Sequence, residues 1–302
     1  MSDRLEGRIH SSVGGSYAVM TLEGTLSCRA RGLFRKQGVT PLVGDWVRIE
    51  RIDDKEGYIL ELLPRKNALT RPPLANLDQL FLLCSTAQPR PNLRLLDTLI
   101  AVAELSDIEP VVVFTKCDLA DGAELAAIYK AFPCFALAPG DDIRGIRALL
   151  KDKTSAFCGN TGVGKSTLLN RIVPELELPT GEISMKLGRG RHTTRHVELY
   201  PAAGGWVADT PGFSSLELAP PSPASRELPL GGAGQALTKD NLALGFREFA
   251  SYLGSCRFLD CAHVKDSGCG VAEAVEIGEV PRGRWESYCA LYEAIKNKKE
   301  WE

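Results

Sequence analysis

Gly159-Asn160-Thr161-Gly162-Val163-Gly164-Lys165-Ser166 has the composition and spacing of a loop that wraps a phosphate. Its glycines let backbone N–H groups close around a β-phosphate, Lys165 can reach the β and γ oxygens, and the Ser166 hydroxyl can ligate Mg²⁺. Thr167 belongs with this nucleotide-holding set. A second group, Asp209-Thr210-Pro211-Gly212, supplies a carboxylate suited to water-mediated Mg²⁺ contact and, at Gly212, an N–H for a γ-phosphate. Between the two lies the polar, basic stretch Gly188-Arg189-Gly190-Arg191-His192-Thr193-Thr194-Arg195. Either Thr193 or Thr194 can provide a second hydroxyl on Mg²⁺, ordering the stretch when a γ-phosphate is bound. The plainer alternative is a solvated basic loop.

Upstream, Thr115-Lys116-Cys117-Asp118 has the form of a purine-reading turn. A carboxylate at Asp118 can accept from both N1–H and the 2-amino group of guanine, a donor pair that adenine lacks. The Lys116 stem can cover the base plane while its ammonium stays in water. Thr115 stands where asparagine is usual, and one hydroxyl replaces only one of two amide hydrogen bonds. Weaker guanine binding or a looser turn is the expectation. Downstream, Cys256, Cys261, His263 and Cys269 are spaced Cys-x₄-Cys-x-His-x₅-Cys. Three thiolates and an imidazole fill a tetrahedral Zn²⁺ shell, so one closed, structural site is expected. Unrelated reduced thiols are the alternative.

Each group needs an element to hold it. Ser155 to Cys158 reads as a buried strand before the phosphate loop, and Ser166 to Ile172 reads as a helix after it, with helix-start chemistry at Ser166-Thr167. Pro110-Val111-Val112-Val113-Phe114 is a continuous apolar run, as in a strand of a parallel sheet covered on both faces, and it delivers Thr115. Gly205-Trp206-Val207-Ala208 does the same for Asp209. A helix from Asp142 through Ile143, Ile146 and Leu149-Leu150 leads back to the phosphate-loop strand. In the N-terminal region, Tyr17 to Leu22, Thr25 to Ala30, Gly44 to Ile49 and Tyr58 to Leu60 alternate in short runs, which suggests a small barrel. Arg29, Arg31, Arg35, Lys36, Arg48 and Arg51 give that region local positive charge suited to nucleic acid, or simply a charged surface.

The order along the chain is thus purine motif, phosphate loop, basic loop, Asp209 turn. Ordinary GTPases place the phosphate loop first, and circular permutation accounts for the difference without changing strand order in space. On this order, on Arg71-Pro72-Pro73-Leu74-Ala75-Asn76-Leu77-Asp78-Gln79, on Gly190-Arg191-His192-Thr193-Thr194, on Asp209-Thr210-Pro211-Gly212-Phe213 and on the cysteine cluster, the chain resembles the ribosome small subunit-dependent GTPase A family over nearly its whole length. The resemblance implies a multidomain α/β protein: an N-terminal OB-fold barrel (1–68), a circularly permuted P-loop GTPase domain (69–217), and a linker with a mostly helical zinc-binding C-terminal domain (218–302). It also implies GTP hydrolysis with Mg²⁺, stimulated by the small (30S) ribosomal subunit late in its maturation, followed by dissociation. The implied partners are that subunit and its rRNA, with GTP and GDP.

Phe213 occupies the place of the glutamine that orients water in many GTPases, so slow turnover without a partner is expected. His192 and His196 are candidates for that task, with solvated loop histidines the plainer reading. The family's Ser-Ala loop falls near Phe135-Ala136-Leu137-Ala138-Pro139, which lacks the serine. At 302 residues and 44% hydrophobic, the chain can bury more than one core, and a formal net charge of −2 excludes a generally basic nucleic-acid binder. Ala219 to Leu237 is rich in Pro, Gly, Ser and Ala and reads as a linker or insertion. Trp285, Tyr288, Tyr292 and Ile295 recur at helical spacing as core residues, with Lys296, Lys298 and Lys299 at the end. No signal peptide or membrane-length apolar run is evident, so a cytoplasmic monomer without membrane contact is expected, its other cysteines reduced. Two other classes stand beside this one. A P-loop ATPase or kinase is disfavoured by Asp118 and the Asp209 turn, and a non-catalytic RNA-binding assembly factor would use GTP only as a structural ligand.

Overall fold

The computed structural model describes residues 4–32, 34, 38–69, 72–176, 197–209, 237–265 and 267–296. Thr193, Thr194, Gly212, Phe213, both loop histidines and the segment 219–236 therefore lie outside the described residues.

Five strands close the N-terminal barrel: β1 (Arg4–Val13), β2 (Ser16–Thr21), β3 (Gly24–Ala30), β4 (Trp46–Arg51) and β5 (Glu56–Leu62). The sheet runs β1-β2-β3-β5-β4, and β4 pairs back onto β1 through Arg4↔Glu50 to Arg8↔Trp46. Alternation does the work: Leu26, Cys28, Val47, Ile49 and Ile59 point inward and are buried, while their sequence neighbours face out. The sequence pattern located β2 to β5 but not β1. Its charged and small residues hide the alternation, and a bulge between Ile9 and Ser11 shifts its register.

A short ribbon, β6 (Ala68–Leu69) with β7 (Leu74–Ala75), leads into a second sheet ordered β10-β9-β8-β11-β13-β12. Its strands are β8 (Gln79–Ser85), β9 (Glu109–Thr115), β10 (Cys134–Leu137), β11 (Thr154–Gly159), β12 (Glu198–Ala202) and β13 (Gly205–Asp209). All neighbours are parallel except the β12–β13 hairpin. Strands β8 and β11 are buried at every residue and β9 at all but Glu109, because helices cover a parallel sheet on both faces. Phe81 and Phe157 stack across β8 and β11 with ring centroids 4.5 Å apart. The connecting helices are α1 (Leu93–Leu105), α2 (Ala123–Ile128), α3 (Arg144–Leu150) and α4 (Lys165–Ile172). As expected, α3 feeds the phosphate-loop strand.

Barrel and sheet are continuous, since Ser11 of β1 pairs with Glu198 of β12. Arg8 fastens this junction: its Nη2 donates to Thr154 Oγ1 at 2.8 Å, and its guanidinium lies 5.8 Å from the Trp46 ring and 5.9 Å from the Trp206 ring. Burial pulls the Arg8 pKa below its ordinary range, with Asp78 and Asp45 opposing.

The C-terminal module contains α5 (Gly270–Glu276) and α6 (Arg282–Lys296). Tyr288 is fully buried against Phe246 and Phe249, and Trp285, Tyr292 and Ile295 pack on the same core. The module docks on α1. Gly245 lies against Ala101, where an added Cβ would come within 2.9 Å. Arg284, 0% exposed, donates to Asp97 Oδ1 at 2.6 Å and to Glu248 Oε1 at 2.6 Å, with its guanidinium 4.7 Å from the Phe246 ring. Burial works against its charge, but Glu248 and Asp97 outweigh that and raise its pKa. Removing one member of such a network strands the opposite charge in a dry site. Arg284→Ala is therefore expected to destabilise the protein by about 3–5 kcal/mol. Arg282→Ala, which breaks an exposed pair with Glu276, should cost about 0–1 kcal/mol. Thermal unfolding of the two variants checks this, and similar midpoints would show that the network does not hold the module.

Candidate functional site

Parallel register brings the sequence motifs to one edge. Leu83 of β8 pairs with Gly159 of β11, and Ser85 of β8 pairs with Thr115 of β9, so the phosphate loop and the purine motif leave the sheet side by side. The loop begins where β11 ends. Gly159 must be glycine, because a Cβ would meet the Leu83 carbonyl oxygen at 2.7 Å. Gly162 and Gly164 take φ of +81° and +95°, which side-chain-bearing residues rarely adopt.

Gly164 is also the N-cap of α4 and offers no side-chain cap. The sequence opened this helix at Ser166, one residue too late, since α4 begins at Lys165; the N–H groups of a helix's first turn lack intrahelical acceptors and suit an anion. At the other end of α4, Arg147 Nη2 donates to the Ile172 carbonyl at 2.9 Å. Burial raises the Cys158 thiol at the base of the loop to about 12, so it is a packing group rather than a nucleophile.

The purine motif meets the loop through its first residue. Thr115 Oγ1 donates to the Val163 carbonyl at 2.6 Å, and Thr115 is buried. Thr86 in the β8–α1 connection donates to the Thr115 and Lys116 carbonyls at 3.2 and 2.9 Å. Lys116 takes φ +60°, and its Nζ donates to the Gln88 carbonyl. Cys117 N–H donates to Leu137 O at 3.1 Å, tying the turn to the end of β10. Asp118 is exposed at the open side. Beyond β10, Ala138 N–H donates to Asp141 Oδ2 at 2.7 Å, so this loop is closed by an aspartate.

The sequence missed Thr86 and Gln88 entirely. A polar residue after a buried strand gives no sign of which neighbour it will bond.

On the other flank, β13 pairs with β11 through Ala156↔Ala208, and its backbone runs out at Asp209 beside the loop strand. Thr115, Lys116, Gly159, Gly162, Val163 and Gly164 are thus gathered at one sheet edge, with Asp209 at the end of the adjacent strand. Behind the loop, Gly159, Asn160 and Val163 share a cavity of about 20 Å³ with Asn92, Leu95 and Leu96 at the start of α1.

The metal-ligating atoms of Cys256, Cys261, His263 and Cys269 all lie within 4.8 Å of one another. Cys256 Sγ is 3.4 Å from His263 Nδ1 and 4.0 Å from Cys269 Sγ, and Cys269 Sγ is 3.6 Å from the same nitrogen. Zn–S and Zn–N bonds of about 2.3 and 2.0 Å at tetrahedral angles give S···S and S···N edges of about 3.8 and 3.5 Å. The donors therefore fit Zn²⁺, with Nδ1 as the imidazole ligand. The outer shell is built too: Trp285 Nε1 donates to His263 O at 2.9 Å, and Tyr288 Oη to Ala262 O at 2.8 Å. The other cysteines are free thiols. Burial raises the Cys28, Cys134 and Cys289 thiols to about 11. No helix among the described residues is long and apolar enough to cross a membrane.

Two variants and one treatment check these arrangements. Thr115→Val should weaken guanine-nucleotide binding about tenfold, the worth of one hydrogen bond, whereas Thr115→Ser should not; equal affinities by fluorescent-GDP titration would deny the bond a role. Metal removal by a strong chelator should shift Trp285 emission and release one zinc per chain, measured by mass spectrometry. A metal-free protein with unchanged emission would contradict the site.

Comparison with known proteins agrees with this geometry. The RsgA N-terminal domain model matches residues 6–59, and the RsgA GTPase model matches residues 62–219. The small ribosomal subunit biogenesis GTPase RsgA of Caldanaerobacter subterraneus subsp. tengcongensis is 43% identical, across 99% of this chain and 98% of that one. Its Bacillus subtilis (strain 168) counterpart is 39% identical across 97% and 98%. Among solved structures, YloQ, described as a circularly permuted GTPase, aligns with a TM-score of 0.77 and 34% identity over 98% of this chain and 96% of that one. YjeQ from Thermotoga maritima aligns with a TM-score of 0.78 and 31% identity over 98% and 100%. With its closed five-stranded barrel, permuted motif order and Cys₃His cluster, the chain belongs to the RsgA GTPase family.

Proposed function

We propose that the chain is a GTP-timed assembly factor for the small ribosomal subunit, binding it late in maturation, hydrolysing GTP when the subunit stimulates it, and then leaving. The observation that carries the nucleotide reading is the Thr115 hydroxyl on the Val163 carbonyl, which fixes the guanine-reading turn against the phosphate loop. In this reading Asp118 accepts from the guanine edge and Lys116 covers its plane. Backbone N–H groups from Gly159 to Gly164, with Lys165, Ser166 and Thr167 in the first turn of α4, hold the phosphates.

Lys165 offsets charge on the γ-phosphoryl group as water attacks phosphorus and the bond to GDP breaks. Mg²⁺ would supply further charge neutralisation, with Ser166, Asp209 and Thr193 or Thr194 as its protein-side partners. Gly212 would donate its N–H to the γ-phosphate. Phe213 cannot hydrogen-bond the water, which supports stimulation by a partner. Zinc held by Cys256, Cys261, His263 and Cys269 would cross-link the C-terminal module.

The division into 1–68, 69–217 and 218–302, contact with rRNA, a monomeric state and a cytoplasmic setting belong to the same proposal. The names of the relatives support the choice of partner: they are small ribosomal subunit biogenesis GTPases. The decisive measurement is GTP turnover by the pure, zinc-loaded protein with and without purified small subunits. A rise of at least tenfold is expected, and equal rates remove the stimulation. Asp118→Asn should turn preference from GTP toward xanthosine triphosphate, because an amide donor suits a second ring carbonyl; retained GTP preference would displace Asp118 from the base.

A further inference from the structure

The knuckle Cys256-Arg257-Phe258-Leu259-Asp260-Cys261 begins and ends on metal-ligating cysteines, so its tip is anchored at both ends. Yet that tip faces solvent. Phe258 is 50% and Leu259 107% exposed. Other exposed apolar residues, such as Leu22, Ile52, Leu244 and Ile277, stand singly and call for no explanation.

Phe258 differs because an exposed cation is built against it, whereas the guanidinium beside half-exposed Trp46 is that of Arg8, buried and bonded to Thr154. The Arg257 guanidinium lies 5.5 Å from its ring centroid. Arg257 N–H donates to Gly268 O at 2.8 Å, and Cys261 N–H to Phe258 O at 3.4 Å, so the backbone on both sides of the ring is tied down. Gly268, at φ +76°, makes room for the Arg257 stem: a Cβ there would lie 3.0 Å from Arg257 Cβ. Lys265 adds a second exposed cation nearby in sequence, and Asp260 an exposed carboxylate. None of the three charged groups forms an ion pair among the described residues.

We infer that Arg257 and Phe258 form a stacking platform for an unpaired RNA base, with the guanidinium also able to meet the adjoining phosphate. This rests on the reading of the small subunit as partner and names the piece of the chain that grips its RNA. A half-exposed ring beside a guanidinium suits a base, which offers a π-face of its own and carries a phosphate within reach. A protein groove would take up Leu259 together with Phe258, whereas a base needs only the ring face and a cation for its phosphate. Duplex RNA keeps its bases stacked and out of reach. Rigidity favours the same reading, because a platform already tied by metal ligands and backbone bonds loses little freedom on binding.

The test uses the full-length, zinc-loaded protein and three probes: a short single-stranded oligoadenylate, an RNA duplex of equal length, and purified small ribosomal subunits. Phe258→Ala should weaken oligoadenylate and subunit binding about tenfold, the effect of losing one base stack. Phe258→Trp should keep both, and duplex binding, GDP affinity and zinc content should not change. Should Phe258→Ala shed metal, Arg257→Gln, which keeps its backbone bond to Gly268, carries the test in its place.

Unchanged oligoadenylate affinity in these variants overturns the platform. A loss confined to subunits also overturns it, and assigns the patch to a protein contact. Wild-type protein that binds oligoadenylate through Phe258 but ignores subunits would keep the platform and remove the partner reading. Subunit binding independent of Phe258 would do the reverse.

Discussion

One hydrogen bond joins the two neighbouring loops that carry the nucleotide motifs: Thr115 Oγ1 to the carbonyl of Val163. It joins segments 48 residues apart in the chain, and it forms because β8, lying between β9 and β11, holds both in parallel register. Sheet hydrogen bonds take no account of which strand was made first. The purine motif can therefore precede the phosphate loop in sequence and still stand beside it in space. What permutation alters is the tethers. Strand β13, next to the phosphate-loop strand, is the last strand of the sheet in chain order, and the C-terminal module follows it in sequence.

The same edge is braced from two sides by buried arginines. Arg8 spans from the barrel to Thr154 at the foot of the phosphate-loop strand, flanked by two tryptophans. Arg284 reaches from the C-terminal module to Asp97 on α1, whose first turn lines the cavity behind Gly159 and Asn160. Neither arginine is a cheap source of stability, since desolvation consumes most of the Coulombic gain. Their value lies in geometry: a buried guanidinium accepts few arrangements of its partners, so barrel, sheet and module are held at defined angles. Helix α1 thus lines a cavity with the phosphate loop at one end and packs on the C-terminal module along its flank.

The glycine-rich loop, the Thr115 turn and the Cys₃His set could be picked out directly, because each is a contiguous or nearly contiguous set of residues whose chemistry is local. The strands β2 to β5, β9, β11 and β13 and the helices α3 and α6 were legible through periodicity. Strand β1 was not, since its alternation is broken by a bulge and by outward charges that fit equally well in a loop. Thr115 was legible only as a departure from asparagine, with one bond expected to be lost. The fold shows where the remaining bond goes, while Thr86 secures the turn from the neighbouring strand.

Sequence by itself determined the reactive groups and their order: the glycines that permit φ near +90°, the lysine and hydroxyls after them, the carboxylate of the purine turn, and a ligand set suited to zinc. Tertiary structure alone decided which of these meet. Arg284 and Asp97 are 187 residues apart and Arg8 and Thr154 are 146 apart, and no local pattern marks either pair. Side-chain chemistry is a property of the residue, whereas burial and partnership are properties of the packed chain. A charged residue in a helical pattern reads as solvated until a second surface closes over it.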